Sequence, residues 1–501
     1  MKKFVIVGSG SAGLIAAGMI KTYWKDGVDI TVIHDKSQGS IAVGESTTPY
    51  IHAFLTFCGI SEKDLIRDLD VTIKLGINFK NWIPDTEYFH GFGQITGQNG
   101  WNKLRSSDPS ATYSILNDVY NGGSLYNEPM TKVPTTIFDN FSHALHIDTR
   151  QFTDYLYEKL NGDIKFVDDV VTRVRVNTEC TKIESIECKY NGIFDADYFI
   201  DASGFNTILF KHLNPKWNDM SKYLPIDRAI PQQIPYDFKD ELPSYTLAEA
   251  TDNGWIWRIP IGNRYGTGYL YSSKFTSDEE AREKYNDWLV ENFDTELTSD
   301  RIIRYRPGYY EDYWMGNCLA VGLSSGFVEP LESTGIHIII KQIQEFITYN
   351  SNLKNLEFNR KSANIVNRDL YTDVVNFVAL HYNTNRTDSE FWKYLTENKL
   401  DWVKDMDEKV REGFVDVSIY RNNPLASSWT LDSYVQVTNG LGMINKNGIQ
   451  DHLNSKPEGN GIFYSGKQIL EVCKNMHDCE VSEKNNQVFV SHKEIIDSIH
   501  K

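Results

Sequence analysis

The hydrophobic pattern at the start of the chain predicts a strand, a turn and a helix. Apolar residues run from Phe4 to Val7, the sequence GSGSAG follows at 8–13, and apolar positions at helical spacing continue towards Trp24. A second apolar strand is predicted over 29–33. A glycine-rich turn between a strand and a helix indicates a dinucleotide site, because the helix N-terminus faces the phosphate groups.

Individual residues of this turn have predicted roles at the nucleotide. Gly8 permits the tight turn, Gly10 lets the backbone approach a pyrophosphate, and Gly13 allows close packing of helix and strand. Asp35 follows the second strand near the position of a ribose ligand, although His34 stands one step earlier, where the acid is expected. The turn residues predicted to bind the nucleotide are Gly8, Ser9, Gly10, Ala12 and Gly13.

The same N-terminal segment has a second possible interpretation as a secretory signal. Lys2 and Lys3 precede an apolar run of small residues, as in such signals. However, glycine and serine interrupt the run at 8–11, and the chain continues into the second strand without a cleavage-like break. We therefore expect the nucleotide site.

Strict alternation over 71–80 predicts one half-buried strand. Val71, Ile73, Leu75, Ile77 and Phe79 fall on one face, and polar residues or glycine fall on the other. Lys74 lies near the middle of this polar face, beside Gly76, which leaves room for another group to approach. Taken alone, a lysine in this position is usually solvated.

Two later apolar strands also end in glycine turns, over 198–204 and 317–326. The nucleotide sheet is therefore expected to be re-entered after two excursions. A helical pattern begins after Ser333 or Thr334, and the free amides of a helix N-terminus favour an anion there. Glu332 stands immediately before those amides.

Side-chain spacing predicts further elements outside the nucleotide sheet. Ser277 and Glu280 form a capping box for a helix. Trp255 and Trp257 point the same way from one strand and form an aromatic wall, an arrangement that core packing alone also explains. Beyond 351 the chain is predicted to be mainly helical.

Composition excludes some classes of function. The chain has 501 residues and a net charge of -17, which disfavours nucleic acids and anionic membranes as partners. No apolar run is long enough to cross a membrane. The 6 cysteines lack CxxC spacing, so reduced thiols and a cytoplasmic location are expected. His143, His146 and Asp148 could share a metal, but ordinary hydrogen bonding is the commoner explanation, and no metal is predicted.

Several motifs together resemble the flavin-dependent halogenases of the tryptophan-halogenase type. The combination of WIWRIP and EPLESTGI is specific to this resemblance, whereas GSGSAG alone fits any flavoprotein. The motifs are GSGSAG from Gly8, GESTTP from Gly44, the strand bearing Lys74, HGFG from His90, DASGF from Asp201, WIWRIP from Trp255, GFVEPLESTGI from Gly326 and LHYNTNRTDSEFW from Leu380.

The resemblance implies an α/β architecture with an FAD-binding, Rossmann-like fold of the flavin-monooxygenase type. A mixed β-sheet substrate region would be interleaved with it, and a mainly helical region would follow. The expected FAD-binding module spans 1–350 in three pieces, at about 1–80, 144–205 and 301–350. Excursions at 81–143 and 206–300 would lie on the substrate side, and 351–501 would cap the substrate.

The resemblance also implies a division of chemistry. FAD, supplied reduced by a separate flavin reductase, would react with O2 and a halide ion to give hypohalous acid. This acid would reach Lys74 through an internal tunnel and halogenate an aromatic substrate. Glu332 would take the ring proton or orient the oxidant, and the amides of Thr334 and Gly335 would bind the halide.

The remaining implied site residues fall into two groups. Further cofactor contacts are Val43, Gly44, Glu45, Ser46, Gly322, Leu323 and Ile336. Residues beside the substrate or the tunnel are His90, Phe92, Trp255, Trp257 and Ser333.

The chain departs from the family pattern in places. Tyr309 stands where arginine is expected, and the region from about Lys393 lacks the residues that hold free tryptophan. The expected substrate is therefore another indole, a phenol or a similar small aromatic, and a homo-oligomer is expected. The alternatives are a flavin-dependent aromatic monooxygenase and a flavin-binding protein in which Lys74 and Glu332 are relics.

Overall fold

A computed structural model describes residues 1–37, 45–92, 131–140, 142–239, 241–412, 428–429, 431–445, 447 and 489–500. The strands are β1 (Lys2–Val7), β2 (Val28–His34), β3 (Glu45–Ser46), β4 (Thr72–Lys74), β5 (Gly76–Lys80), β6 (Glu87–Gly91), β7 (Lys132–Pro134), β8 (Ala144–Ile147), β9 (Lys165–Asp168), β10 (Val171–Val176), β11 (Ile183–Cys188), β12 (Gly192–Phe194), β13 (Tyr198–Asp201), β14 (Trp217–Asp219), β15 (Arg228–Pro235), β16 (Tyr245–Thr251), β17 (Gly254–Ile261), β18 (Arg264–Tyr271), β19 (Ile303–Arg304), β20 (Gly308–Tyr310), β21 (Trp314–Met315), β22 (Cys318–Ala320), β23 (Gly326–Phe327) and β24 (Phe489–Ser491). The helices are α1 (Ser11–Trp24), α2 (Ile51–Cys58), α3 (Glu62–Asp68), α4 (Ile137–Asn140), α5 (Thr149–Leu160), α6 (Asp278–Phe293), α7 (Thr334–Tyr349), α8 (Glu357–His381), α9 (Glu390–Glu397), α10 (Asp401–Arg411), α11 (Leu431–Gly440) and α12 (His492–His500).

The first large sheet has the strand order β21-β22-β13-β1-β2-β9, in which only β21 is antiparallel. Its central strand is apolar on both faces. Phe4 and Ile6 belong to one hydrophobic cluster, while Val5 and Val7 belong to another. Burial on both faces is typical of a parallel sheet covered by helices, and it explains the unbroken apolar run in the sequence.

The second large sheet has the order β19-β15-β18-β17-β16-β5-β6 and is mixed, since β16 and β5 are parallel whereas the other neighbours are antiparallel. It carries WIWRIP on β17 and the first two residues of HGFG, His90 and Gly91, on β6. The predicted mixed sheet beside the nucleotide-binding unit is therefore confirmed. The domain limits given above stay a prediction.

A small sheet, β3-β8-β4, brings two predicted site segments to one strand. β8 pairs with Glu45 and Ser46 on one side and with the strand that ends at Lys74 on the other. The position of Lys74 relative to the GESTTP segment therefore depends on β8.

The prediction of one continuous half-buried strand over 71–80 is wrong. The chain forms β4 and β5 with a break at Leu75, whose amide donates to Ser244 O at 2.7 Å and whose carbonyl accepts from Phe92 N at 2.9 Å. Both faces are covered, so Lys74 is 0% exposed rather than solvated. The space beside Gly76 is taken by the backbone of β6, because a Cβ there would lie 2.4 Å from His90 O.

The helix predicted after Ser277 is confirmed. Ser277 and Glu280 form a capping box at the start of α6, which buries Ala281, Tyr285 and Leu289. Residues 357–411 are mostly helical, in α8 to α10. Within the described ranges, no helix combines the length and the apolar character needed to span a membrane.

Candidate active site

The glycine-rich turn has the geometry that its sequence predicts. Gly8 has φ +113°, and a Cβ at this position would lie 2.3 Å from Ala202 O. A Cβ at Gly13 would lie 2.0 Å from Gly8 O, so only glycine permits this close packing. Among the described residues, apart from its chain neighbours, no atom lies within 4 Å of the Cβ position of Gly10, which leaves its backbone open to a ligand.

The start of α1 has features of an anion site. Among the described residues, no side chain caps this N-terminus, and the buried Ser11 Oγ has no hydrogen-bond partner. Ser9 Oγ lies 2.9 Å from His34 Nδ1, so the histidine that replaces the expected acid contacts the glycine-rich turn. Asp35 accepts hydrogen bonds from the amide and hydroxyl of Ser37, and its role as a ribose ligand stays a prediction.

A largely apolar cavity lies between the second large sheet, the segment 322–331 and the start of α7. The predicted site residues that line it are Glu45, Ser46, Trp255, Trp257, Gly322, Leu323, Ser333, Thr334 and Gly335. Aromatic residues that were not predicted as site residues also line it, among them Phe205, Tyr305 and Phe327. Most of the implied cofactor, halide and wall residues therefore converge on one space.

Other predicted cofactor residues lie beside this cavity or outside the described residues. A Cβ at Gly322 would lie 3.0 Å from Ala12 Cβ, so the cavity adjoins the start of α1. Ile336 is buried in the hydrophobic core and does not line the cavity. Val43 and Gly44 lie outside the described residues. Burial raises the pKa of Glu45 to about 7.

The two tryptophans of β17 form one wall of the cavity, as predicted. Their ring centroids are 6.5 Å apart, and both rings line the cavity. Trp257 packs across Gly268, where a Cβ would lie 2.1 Å from the indole ring. Trp255 Nε1 donates a hydrogen bond to Glu329 Oε2 at 3.1 Å, which fixes the orientation of this indole.

The N-terminus of α7 is exposed to the cavity. Ser333 precedes the helix with φ +59°, an unusual value for a residue with a side chain. Within the described structure no side chain caps the helix, and its first turn contains no acidic residue. Gly335 has open space at its Cβ position. These free amides and the helix dipole favour a small anion at Thr334 and Gly335.

Lys74 is buried next to Ser333, the residue that precedes α7. Its Nζ donates hydrogen bonds to Thr47 O at 3.0 Å and to Ser333 Oγ at 2.8 Å, and it lies 4.8 Å from the centroid of the Phe92 ring. Burial lowers the pKa of Lys74 to about 7, although the negative charge of Glu332 acts in the opposite direction. A lysine with this pKa exchanges protons readily near neutral pH.

Two histidines surround Glu332, which is also buried. His90 Nδ1 lies 3.0 Å from both carboxylate oxygens, and His381 Nε2 lies 2.7 Å from Oε1. Burial alone would raise the pKa of Glu332, but the charges and hydrogen bonds of His90 and His381 outweigh it and lower the pKa to about 2. Tyr88 OH lies 2.7 Å from His381 Nδ1 and extends the chain of contacts.

Some of these contacts could not be assigned from the sequence. His381 falls within the LHYNTNRTDSEFW motif and at helical spacing with Phe377, but no role was predicted for it. Tyr88 and Thr47 carry no sequence signal of their own. Thr47 contributes a backbone carbonyl, which any residue type supplies.

His143, His146 and Asp148 do not form one group in the structure, and their contacts are the ordinary hydrogen bonds and ion pairs that were expected. His146 contacts two threonines, and Asp148 pairs with Arg264. His143 instead contacts Glu62. Only His146 lies within β8, because His143 precedes the strand and Asp148 is the N-cap residue of α5.

Comparison with known proteins agrees with this geometry. The model of the tryptophan halogenase family matches residues 3–454. The tryptophan 7-halogenase RebH of Lentzea aerocolonigenes is 31% identical over 497 residues, which cover 88% of this chain and 90% of RebH. The tryptophan 6-halogenase SttH of Streptomyces toxytricini is 31% identical over 429 residues, which cover 78% of this chain and 80% of SttH.

A solved structure has the same fold over the full length. Tar14, a tryptophan C-6 flavin-dependent halogenase (chlorinase) from taromycin biosynthesis, superposes with a TM-score of 0.80 and 26% identity, and 100% of each chain is covered. This chain is therefore an enzyme that belongs to the tryptophan halogenase family and has the FAD-binding α/β fold of the flavin-dependent halogenases.

Proposed function

We propose that this enzyme attaches a halogen atom to an electron-rich aromatic substrate, such as an indole or a phenol. Lys74 and Glu332 would be the catalytic residues. Family membership supports FAD-dependent aromatic halogenation. The observation that carries the proposal is the position of Ser333, which lines the cavity and accepts a hydrogen bond from the buried Lys74. One residue thus connects the cavity with the lysine.

The residues present fit FAD. The open backbone at Gly10, the uncapped start of α1 and the orphaned Ser11 hydroxyl suit a pyrophosphate. The adjoining apolar cavity, with Gly322 and Leu323 in its wall, suits a planar ring system. When bound in its reduced form, FAD supplies the two-electron chemistry by which O2 and a halide ion give hypohalous acid.

The chain would separate this oxidation from the aromatic substrate. The amides of Thr334 and Gly335 would hold the halide by the electrostatic attraction of the α7 N-terminus. Trp255 and Trp257 would exclude the aromatic substrate from the cavity. Hypohalous acid would then move past Ser333 to Lys74. This route corresponds to the tunnel that the family resemblance implies.

At Lys74 the ammonium group would donate a hydrogen bond to the oxygen of hypohalous acid. This withdraws electrons from the halogen and makes it a stronger electrophile. The aromatic ring attacks the halogen, the oxygen–halogen bond breaks, and the departing hydroxide takes a proton to become water. Lys74 provides this proton and later regains one.

Glu332 would act on the cationic ring that this attack produces. Its pKa of about 2 means that it is ionised throughout the neutral range and stabilises the positive charge. The proton on the halogenated ring carbon is strongly acidic, so a carboxylate of low basicity can accept it. His90 on β6 and His381 at the end of α8 hold the carboxylate in position.

The proposal includes a second protein, and it favours another indole, a phenol or a similar aromatic over free tryptophan as the substrate. The sequence contains no second GxGxxG motif after a strand that would hold a nicotinamide cofactor, so a separate flavin reductase would supply reduced FAD. RebH and SttH are named for tryptophan, but the region from about Lys393 lacks the residues that hold the free amino acid. We further propose a cytoplasmic homo-oligomer.

Product analysis tests this function directly. Purified enzyme, FAD, a flavin reductase and NADH are incubated with a panel of indoles and phenols in chloride, bromide or iodide. Mass spectrometry should show products that carry the added halogen and depend on the halide. A hydroxylated product that forms equally without halide would assign the chain to the aromatic monooxygenases, and rapid NADPH oxidation without reductase would exclude the two-component scheme.

A further inference from the structure

Three potential metal ligands converge away from the candidate active site. His52 lies in the first turn of α2, Glu62 begins α3, and His143 immediately precedes β8. His143 Nε2 is 2.6 Å from Glu62 Oε1, and His52 Nδ1 is 3.8 Å from Glu62 Oε2. The side chains are 31%, 16% and 5% exposed for His52, Glu62 and His143, respectively, so solvent reaches the group mainly at His52.

The hydrogen bonding of His52 leaves two electron-rich atoms facing each other. His52 Nε2 lies 3.0 Å from the backbone oxygen of His143, and a carbonyl can only accept. Nε2 must therefore carry the proton, so in the neutral ring Nδ1 has a lone pair, which faces the carboxylate of Glu62. A cation between the two atoms would relieve their repulsion.

The separation between His52 and Glu62 suits a transition-metal ion, whereas His143 and Glu62, which are at hydrogen-bond distance, would move apart on binding. A separation of 3.8 Å can be spanned by two metal–ligand bonds of about 2.0–2.2 Å each. Histidine ligands usually donate their second ring N–H to a carbonyl or carboxylate, as His52 does here. Binding would displace the proton between His143 and Glu62, as metal sites commonly require.

We propose that His52, Glu62 and His143 form a binding site for a divalent transition-metal ion, with zinc as the best match. Two imidazoles and one carboxylate are ligands that zinc accepts, whereas magnesium prefers oxygen ligands alone. The ion would join α2 and α3 to β8, the strand that pairs with both the GESTTP segment and the Lys74 strand. The site is independent of the proposed halogenation.

Zinc titration of the full chain, without a purification tag and after treatment with a chelator, tests the proposal. We expect one saturable equivalent by isothermal titration calorimetry and no comparable binding of magnesium. At a free zinc concentration of a hundred times Kd, the melting temperature should rise by about 2–3 °C. Absence of a saturable equivalent, or equal binding of magnesium, would overturn the assignment.

Substitutions locate the binding to these residues. Glu62→Gln keeps an oxygen that can accept from His143 but removes the charge, and His52→Ala removes one ligand. Each should weaken zinc binding by at least about tenfold, whereas His212→Ala, at an exposed histidine elsewhere, should bind as the natural protein does. Circular dichroism and melting in chelator verify that each variant folds. Unchanged affinity in both folded ligand variants would place the zinc elsewhere and refute the proposal.

Discussion

Lys74 Nζ donates a hydrogen bond to Ser333 Oγ at 2.8 Å, across 259 positions of sequence. Ser333 in turn donates to Ser46 Oγ at 3.0 Å. The serine therefore connects the buried lysine with the GESTTP segment and with the cavity wall. Its left-handed backbone, with φ +59°, places the hydroxyl between these groups while α7 begins at the next residue. Strained backbone of this kind is often found at functional sites.

Removal of the Ser333 hydroxyl should reduce delivery of hypohalous acid to Lys74. Ser333→Gly suits the left-handed backbone and lacks the hydroxyl, whereas Ser333→Ala lacks the hydroxyl but keeps the strain. We expect both variants to form halogenated product about tenfold more slowly, because a hydrogen bond to a charged group is lost. Product formation and thermal unfolding are measured in parallel. A normal rate in Ser333→Gly would show that the hydroxyl has no part in delivery.

Substitution of Lys74 should separate halide oxidation from halogenation. In Lys74→Ala we expect aromatic halogenation to fall by a factor on the order of 10²–10³, because the donor to hypohalous acid is lost. Oxidised halide should still form and can be trapped by a reactive dione in solution. Lys80→Ala is the matched control, since Lys80 lies on the next strand and pairs with Glu249 at the edge of the site. Full halogenation by Lys74→Ala would remove the central catalytic assignment.

The fold could be predicted where local pattern and final burial agree. The apolar run of β1, the glycine-rich turn and the start of α7 are local features, and the structure contains all three. The region 71–80 differs because its partners are distant in sequence. Ser244 and the strand β16 cover one side of the break at Leu75, and β8 pairs with β4. Alternation alone cannot reveal that both faces of such a segment are covered.

The candidate site depended more on resemblance than on pattern. Lys74 and Glu332 carry no local signal that distinguishes them from solvated residues, and their burial arises from contacts across the whole chain. The contact between Glu332 and His381 joins different elements, so spacing could not predict it. The helix start at Thr334, where we propose that the halide binds, is the exception, because a helix start with small residues can be recognised from sequence.

The pKa of Lys74 predicts the pH dependence of halogenation. Since burial lowers this pKa to about 7, the ammonium form predominates below pH 7 and is lost as the pH rises above it. If the ammonium group is the donor, kcat/KM for the aromatic substrate should fall about tenfold for each pH unit well above 7. Trapped hypohalous acid, measured without aromatic substrate, is the control for the oxidation step. A rate that rises through pH 7 would instead indicate that the neutral amine reacts.

Glu329 should hold the indole ring of Trp255 in its position in the tryptophan wall. This buried carboxyl group accepts from Trp255 Nε1 and contacts Tyr382 OH, and burial raises its pKa to about 7. Glu329→Leu would leave the indole N–H without this partner, at a cost of about 1–3 kcal/mol. We expect a lower melting temperature and a larger share of trapped oxidant relative to halogenated product.

Glu329→Gln keeps an acceptor and serves as the control. Identical behaviour of Leu and Gln variants would contradict this positioning role.

Glu332 should raise the pKa of Lys74 in addition to accepting the proton from the aromatic ring. Its negative charge raises the pKa of Lys74 against the effect of burial. Glu332→Gln removes that charge but keeps the size of the side chain, so the ammonium group should be lost at lower pH. We therefore expect slower halogenation and a descending limb of the pH profile that moves to lower pH. Double substitution with Lys74→Ala should show no such limb. A slower rate with an unmoved limb would mean that Glu332 acts on the ring alone, without electrostatic coupling to the lysine.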